Sequence, residues 1–148
     1  MIEQKINIKK FYENATIPTY GTDYAAGADL YAYLEQEITI KPGEPAFIGT
    51  GIGLEVPVGY AGLIYARSGL ACKSGLAPAN KVGVVDTDYR GEVKVALHNH
   101  SNEEKIVKPN DRIAQFVITP YLKADFVLTE ELSSESQRGR GAFGSTGK

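Results

Sequence analysis

Short runs of alternating polar and apolar residues, each ended within a few positions by glycine or proline, recur through most of this chain. Side chains switch face at every residue of a β-strand, so such runs predict strands, and their brevity leaves no length for a helical bundle. Lys5-Ile6-Asn7-Ile8-Lys9 alternates, as do Glu37-Ile38-Thr39-Ile40 and the stretch 45–56. Further candidates are 27–33, 60–66, 81–85, 92–98, 105–108, 112–119 and 122–128, a spacing that predicts an all-β sandwich or barrel. Sixteen glycines and seven prolines, with nine tyrosines and no tryptophan, point the same way. One helical turn is expected, with Ser68 capping 69–73 and Gly75 stopping it.

At 148 residues the chain has the length of one domain with a proper core. The character changes at Ser133. From there to Lys148 the only aliphatic residue is Ala142, so this tail cannot pack a core of its own. The organisation is therefore a β-rich domain over 1–132 and a C-terminal arm over 133–148. A formal net charge of −2 argues against a protein whose main task is holding nucleic acid by its phosphates. The single cysteine, Cys72, excludes an intramolecular disulfide and reads as a small core residue, which suits a reducing compartment. No apolar run approaches the ~20 residues needed to cross a bilayer, and the first residues lack the apolar core of a signal peptide. A cytoplasmic protein is expected, and the sequons at Asn14 and Asn99 are then accidental.

The richest segment for chemistry runs from Gly83 to Gly91, where Asp86, Asp88 and Tyr89 fall at a turn between two strand-forming runs. Asp86 ends the apolar run Val84-Val85, so partial desolvation would raise its basicity and suit it to take a proton from water. Turn formation alone accounts equally well for Asp86 and Asp88. Arg67-Ser68 at the helix start offers a guanidinium, a hydroxyl and free N–H groups to an anion, or forms an ordinary helix cap. Asp29 sits among small residues in 25–30, where something can approach the backbone closely, or is a turn residue at a strand edge. The tail combines Arg138, Arg140, Phe143, Ser145 and Thr146 with flexible glycines, a mixture able to wrap phosphates and stack on a base. Its G-x-G-x-x-G match at 139–144 follows no strand, and its likeness to a phosphate loop lacks the first glycine, so both motifs are rejected. His98 and His100 share a strand face without an evident third ligand, and are expected at the surface or an interface.

Five segments, in order, resemble the homotrimeric deoxyuridine triphosphatases, the dUTPase family: Ala26-Gly27-Ala28-Asp29-Leu30, Ala66-Arg67-Ser68-Gly69-Leu70, the run 80–91, Arg112-Ile113-Ala114-Gln115, and the run 138–147. The resemblance covers most of the chain; position 142 is alanine where the family usually has glycine. It implies a jelly-roll subunit with one short helix, assembled as a homotrimer with three active sites at its interfaces. Each site would take the first, second and fourth segments from one subunit, the third from a neighbour, and a closing arm from the remaining chain. The implied reaction is hydrolysis of dUTP to dUMP and pyrophosphate, which limits uracil in DNA and supplies dUMP.

The same resemblance implies the residue roles. Asp86 is the catalytic base, and Mg²⁺ on the triphosphate reaches Asp29 through a bound water. Arg67, Ser68, Gly69, Gln115, Arg138, Ser145 and Thr146 bind phosphates. Asn80, Gly83 and Val85 meet uracil, Tyr89 packs under deoxyribose, and Phe143 stacks over the base. Arg90 and Asp88 are assigned to holding the turn. A deoxycytidine triphosphate deaminase shares the fold but needs a further acidic group at the pyrimidine ring, which the sequence does not clearly offer. A nucleotide-responsive sensor is the reading from another class, and an intact Asp86 with a complete tail argues against it.

Overall fold

A computed structural model describes residues 3–133, 136 and 139–141. Twelve strands and one helix occupy them: β1 (Asn7–Lys10), β2 (Thr19–Tyr20), β3 (Ala28–Tyr31), β4 (Ile38–Ile40), β5 (Pro45–Gly49), β6 (Ile52–Glu55), β7 (Tyr60–Tyr65), α1 (Ser68–Ser74), β8 (Leu76–Pro78), β9 (Gly83–Val85), β10 (Lys94–Asn99), β11 (Lys105–Val107) and β12 (Arg112–Pro120). They form antiparallel sheets in the orders β2-β3-β12-β7-β9, β5-β10-β8, β1-β6 and β11-β4. The arrangement is all-β and sandwich-like, with no closed barrel among the described residues. Leu30, Ile48, Ile52, Val93, Val95, Leu97 and Ile113 fill the space between sheets. The alternation read from the sequence is visible in β10, where Val95, Leu97 and Asn99 point inward and the residues between them do not.

Several expectations change on folding. The run 45–56 is two strands, because the chain turns at Gly51 with φ +70, a conformation that favours glycine. A Cβ there would lie 2.7 Å from that of Ala15. Strands β2 and β8, two and three residues long, are too short for periodicity to reveal. Ser68 does not cap the helix: Arg67, extended at φ −83 and ψ 126, is the N-cap, and Ser68 is the first helical residue. Gly75 stops the helix as expected, in the left-handed region at φ 71. Cys72 is exposed rather than core, since this short helix buries none of its residues. The expected strand over 122–128 is not formed. Leu122, Phe126 and Leu128 are 97, 94 and 99% exposed, because a strand forms only beside another and no described edge of this subunit lies along them. No helix among the described residues is long and apolar enough to cross a membrane.

Two polar side chains among the described residues lie wholly in the core, Thr50 and Asn99. Asn99, at the end of β10, donates from Nδ2 to the carbonyls of Ile40 (2.8 Å) and Glu103 (2.7 Å). Its Oδ1 accepts the backbone N–H and the hydroxyl of Ser101. With every bond satisfied the amide ties β4 to the turn leading into β11, and its burial leaves no room for a glycan. Asn99→Ala strips two carbonyls and an N–H of their partner, so unfolding in urea should show a loss of about 2–4 kcal/mol with a folded secondary-structure spectrum retained.

Candidate active site

Strand β12 is paired on both sides, and its register sets three residues abreast: Asp29 of β3, Gln115 of β12 and Tyr65 of β7. Two residues beyond Tyr65 the chain enters α1 at Arg67, which therefore overhangs the same row. Arg67 donates from Nε to Asp29 Oδ1 at 2.6 Å, and Arg112 donates from Nη1 to Asp29 Oδ2 at 3.2 Å. The Asp29 side chain is 14% exposed and Arg67 25%, so this charge pair is only partly screened. Gln115 donates from Nε2 to the Ala66 carbonyl at 2.8 Å, and its Oε1 lies against the bare Cα of Gly27, where a Cβ would collide with it. Small residues before Asp29 thus make room for the glutamine. Ser68 and Gly69 are exposed, and nothing stands within 4 Å of a Cβ built on Gly69.

The second group of residues lies on β9 and the turns on either side of it, for the strands before and after it, β8 and β10, pair in another sheet. This strand pairs only with β7, through Gly62–Val85 and Ile64–Gly83, so its other edge carries backbone N–H and C=O groups unpaired within the sheet. Before it, the Asn80 carbonyl accepts from the Val82 N–H at 2.7 Å around Lys81, held at φ +65. That tight turn is costly for a lysine, and it presents Asn80 beside Gly83. After it, the Tyr89 N–H closes a turn onto the Asp86 carbonyl at 3.2 Å. Arg90 donates from Nη1 to the carbonyls of Thr87 (2.6 Å) and Tyr89 (3.0 Å), which bears out its assignment to the turn. Asp88, expected to hold the same turn, is exposed and its side chain engages no described residue, so the turn rests on Arg90 and the backbone instead. A cleft of about 210 Å³ is lined by Asn80, Gly83, Val85, Asp86, Tyr89 and Lys94 among others.

Asp86 is exposed in the subunit. The desolvation expected from Val84 and Val85 does not arise within one chain: Val85 turns into the core, and Val84 is itself exposed. Val85 therefore offers the cleft only its backbone. The cleft around Asp86 includes neither Asp29, Arg67 nor Gln115, whereas Arg67 and Arg112 line a different one with Leu70, Ile106 and Asp111. Arg138, Phe143, Ser145 and Thr146 lie outside the described residues.

His98 and His100 stack at 4.2 Å between ring centroids, tilted by 46°, and no group of three metal-ligating side chains occurs among the described residues. Slight desolvation, then the neighbouring His98 and Lys81, hold the exposed His100 below the usual histidine range. Arg112 opens the fourth of the family-like segments but was given no role of its own; the structure sets it beside Arg67 as a second guanidinium on Asp29. Asp29→Asn should weaken the anchor of both arginines, with a loss of about 1–3 kcal/mol in chemical denaturation that shrinks in high salt.

The dUTPase family model matches residues 13–147. A deoxyuridine 5'-triphosphate nucleotidohydrolase of Nautilia profundicola is 50% identical over 144 residues, 97% of this chain and 99% of that one. Among solved structures, a point mutant of the Staphylococcus bacteriophage 80alpha dUTPase with dUpNHpp superimposes with a TM-score of 0.87 at 26% identity, covering 99% of this chain and 100% of that one. A mutant dUTPase from phage phi11 of S. aureus, solved to show how a structural Mg(II) ion is coordinated, has a TM-score of 0.76 at 23% identity and covers 86% and 98% of the two chains.

Proposed function

The chain belongs to the dUTPase family, whose members hydrolyse dUTP to dUMP, and from that premise we propose that Asp86 drives attack of water on the α-phosphorus. The carboxylate takes a proton from the water as its oxygen bonds to phosphorus, and the bond to the bridging oxygen breaks to release pyrophosphate. The observation that carries this reading is the position of Asp86 at the end of β9, beside a strand edge with unpaired backbone groups. Asn80, Gly83 and Val85 along that edge would pair with uracil. Backbone atoms cannot swing aside, so a base with the wrong donor pattern leaves buried groups unpaired at about 1–3 kcal/mol each. Tyr89 would lie under the deoxyribose and refuse a 2′-hydroxyl.

Phosphate oxygens would be held by Arg67, Ser68, Gly69 and Gln115, with Arg138, Ser145 and Thr146 of the arm at the far end. Since Asp86 and the arginine group line separate clefts in one subunit, we assign each active site to more than one subunit of a homotrimer. The apolar side chains of 122–128, uncovered in the single chain, support such an assembly. The arm over 133–148 would then close a neighbour's site, with Phe143 over the base.

No cage of protein ligands stands among the described residues, so the donor set suits a hydrated Mg²⁺ carried in on the triphosphate rather than a resident ion. Asp29 would meet one of its waters. Each Asp29 oxygen has a lone pair beyond its arginine bond, which leaves that contact open. When bound, the ion would neutralise charge on the phosphate oxygens. We assign the enzyme to the cytoplasm as part of the same proposal, as one compartment in which free nucleotides are met.

Pyrophosphate release compared across dUTP, dCTP, dTTP and UTP should be confined to dUTP, with no ammonia from dCTP. Asp86→Asn should retain dUTP binding by calorimetry while turnover falls by about 10² to 10⁴. Wild-type hydrolysis would remove Asp86 from the mechanism. Deleting 138–148 should leave an assembly that sediments as a trimer and has little activity, and full activity would exclude the closing arm.

A further inference from the structure

The Tyr89 ring is held at both ends. Its backbone is fixed by the turn to Asp86, and its hydroxyl donates to the Glu92 carbonyl at 2.8 Å. Between them the ring rests on Gly91, where a Cβ would stand 2.5 Å from the hydroxyl oxygen and 2.8 Å from Cζ. Glu92 is anchored in turn. Its Oε1 accepts the Gly51 N–H at 2.8 Å, its carboxylate fills the space that a Cβ on Gly49 would need, and Lys94 stands 4.0 Å from Oε2. The next residue, Val93, donates to the Ile52 carbonyl and accepts both the N–H and the hydroxyl of Thr50. Through Glu92 the ring is therefore fastened to the corner between β5 and β6, which takes no other part in the site.

A steric filter excludes a larger ligand only up to the free energy needed to push the filter aside. Tyr89 is 43% exposed, so packing alone restrains it weakly. We propose that Glu92 is a positioning residue for sugar selection: its carboxylate, seated on the Gly51 N–H, fixes the carbonyl that latches the Tyr89 hydroxyl and stiffens the ring against a 2′-hydroxyl. The inference rests on Tyr89 being the surface that meets the sugar. Glutamine at position 92 keeps an oxygen acceptor for Gly51, and alanine removes it.

The test is the ratio of kcat/KM for dUTP to that for UTP, measured below the melting temperature of every variant. Tyr89→Phe and Glu92→Ala should each lower this ratio by about three- to tenfold, the worth of one hydrogen bond. Glu92→Gln should recover most of it, and the Tyr89→Phe/Glu92→Ala pair should fall no further than the lower single variant. A lower melting temperature with an unchanged ratio in Glu92→Ala would reduce Glu92 to a structural role. Additive losses in the pair would separate it from Tyr89. Tyr89→Ala distinguishes the two levels: an unchanged ratio there overturns Tyr89 as the sugar surface, whereas a lowered ratio with Glu92→Ala unaffected removes only the latch.

Discussion

The double pairing of β12 is the constraint on which the rest of the molecule turns. Nine residues long, it pairs with β3 over 112–116 and with β7 over 115–120, and it cannot slip by one position without sending Ala114 and Phe116 out of the core. The hydrophobic demand for that register also sets Gln115 between Asp29 and Tyr65, so packing places the charged cluster as a by-product. Asp29 then works as an internal counterion. Two guanidiniums brought together without it would repel, and with it both are aimed and partly neutralised before any anionic ligand arrives.

On the other flank of the sheet, β9 is an edge strand with its outer backbone groups unpaired within the sheet, and natural edges of this kind are usually blunted by charge, proline or cover. Here the edge is Gly83-Val84-Val85, short and apolar. An unblunted edge next to a carboxylate makes sense where a ligand takes the place of the missing strand. The uncovered side chains of 122–128 state the same incompleteness on a larger scale, since single apolar residues at a surface are ordinary but a run of them standing off the body is not. An assembly of several subunits answers both.

Much of this was legible in the sequence because it follows from period and punctuation. The alternation in 92–98 and 112–119 marks strands that the fold contains as β10 and β12, and Gly75 stops its helix through the left-handed conformation that glycine favours. What stayed hidden depends on pairing across the chain. Nothing local shows that Gly51 must break one alternating run into two, because the reason is the side chains of Ala15 and Tyr33 against it. Cys72 reads as core by residue type, yet a seven-residue helix lying on the surface has no buried face to give it. Arg112 has no role legible locally because its significance is the carboxylate 83 positions away. The place of Asp86 at the end of an apolar run could be read locally, while its exposure could not, because Val84 and Val85 face away from it or into the core.

The proposed site would divide its work between two kinds of matter. Backbone on the β9 edge, stiffened by the strained turn at Lys81, suits discrimination, because a wrong ligand cannot induce it to adapt. Side chains on the Asp29 row suit charge, because arginine and glutamine reach several oxygens of a flexible triphosphate. Tyr89 is the exception, a side chain asked to act with the rigidity of backbone. The fold meets that demand by tying its hydroxyl to a main-chain carbonyl, so that moving the ring means breaking a bond as well as changing a rotamer. Such a tie is only as firm as its acceptor, and the acceptor is held by Gly51 and β6 rather than by the turn itself. On the proposed role of Tyr89, selection of the sugar would thus draw on packing at a corner outside the cleft.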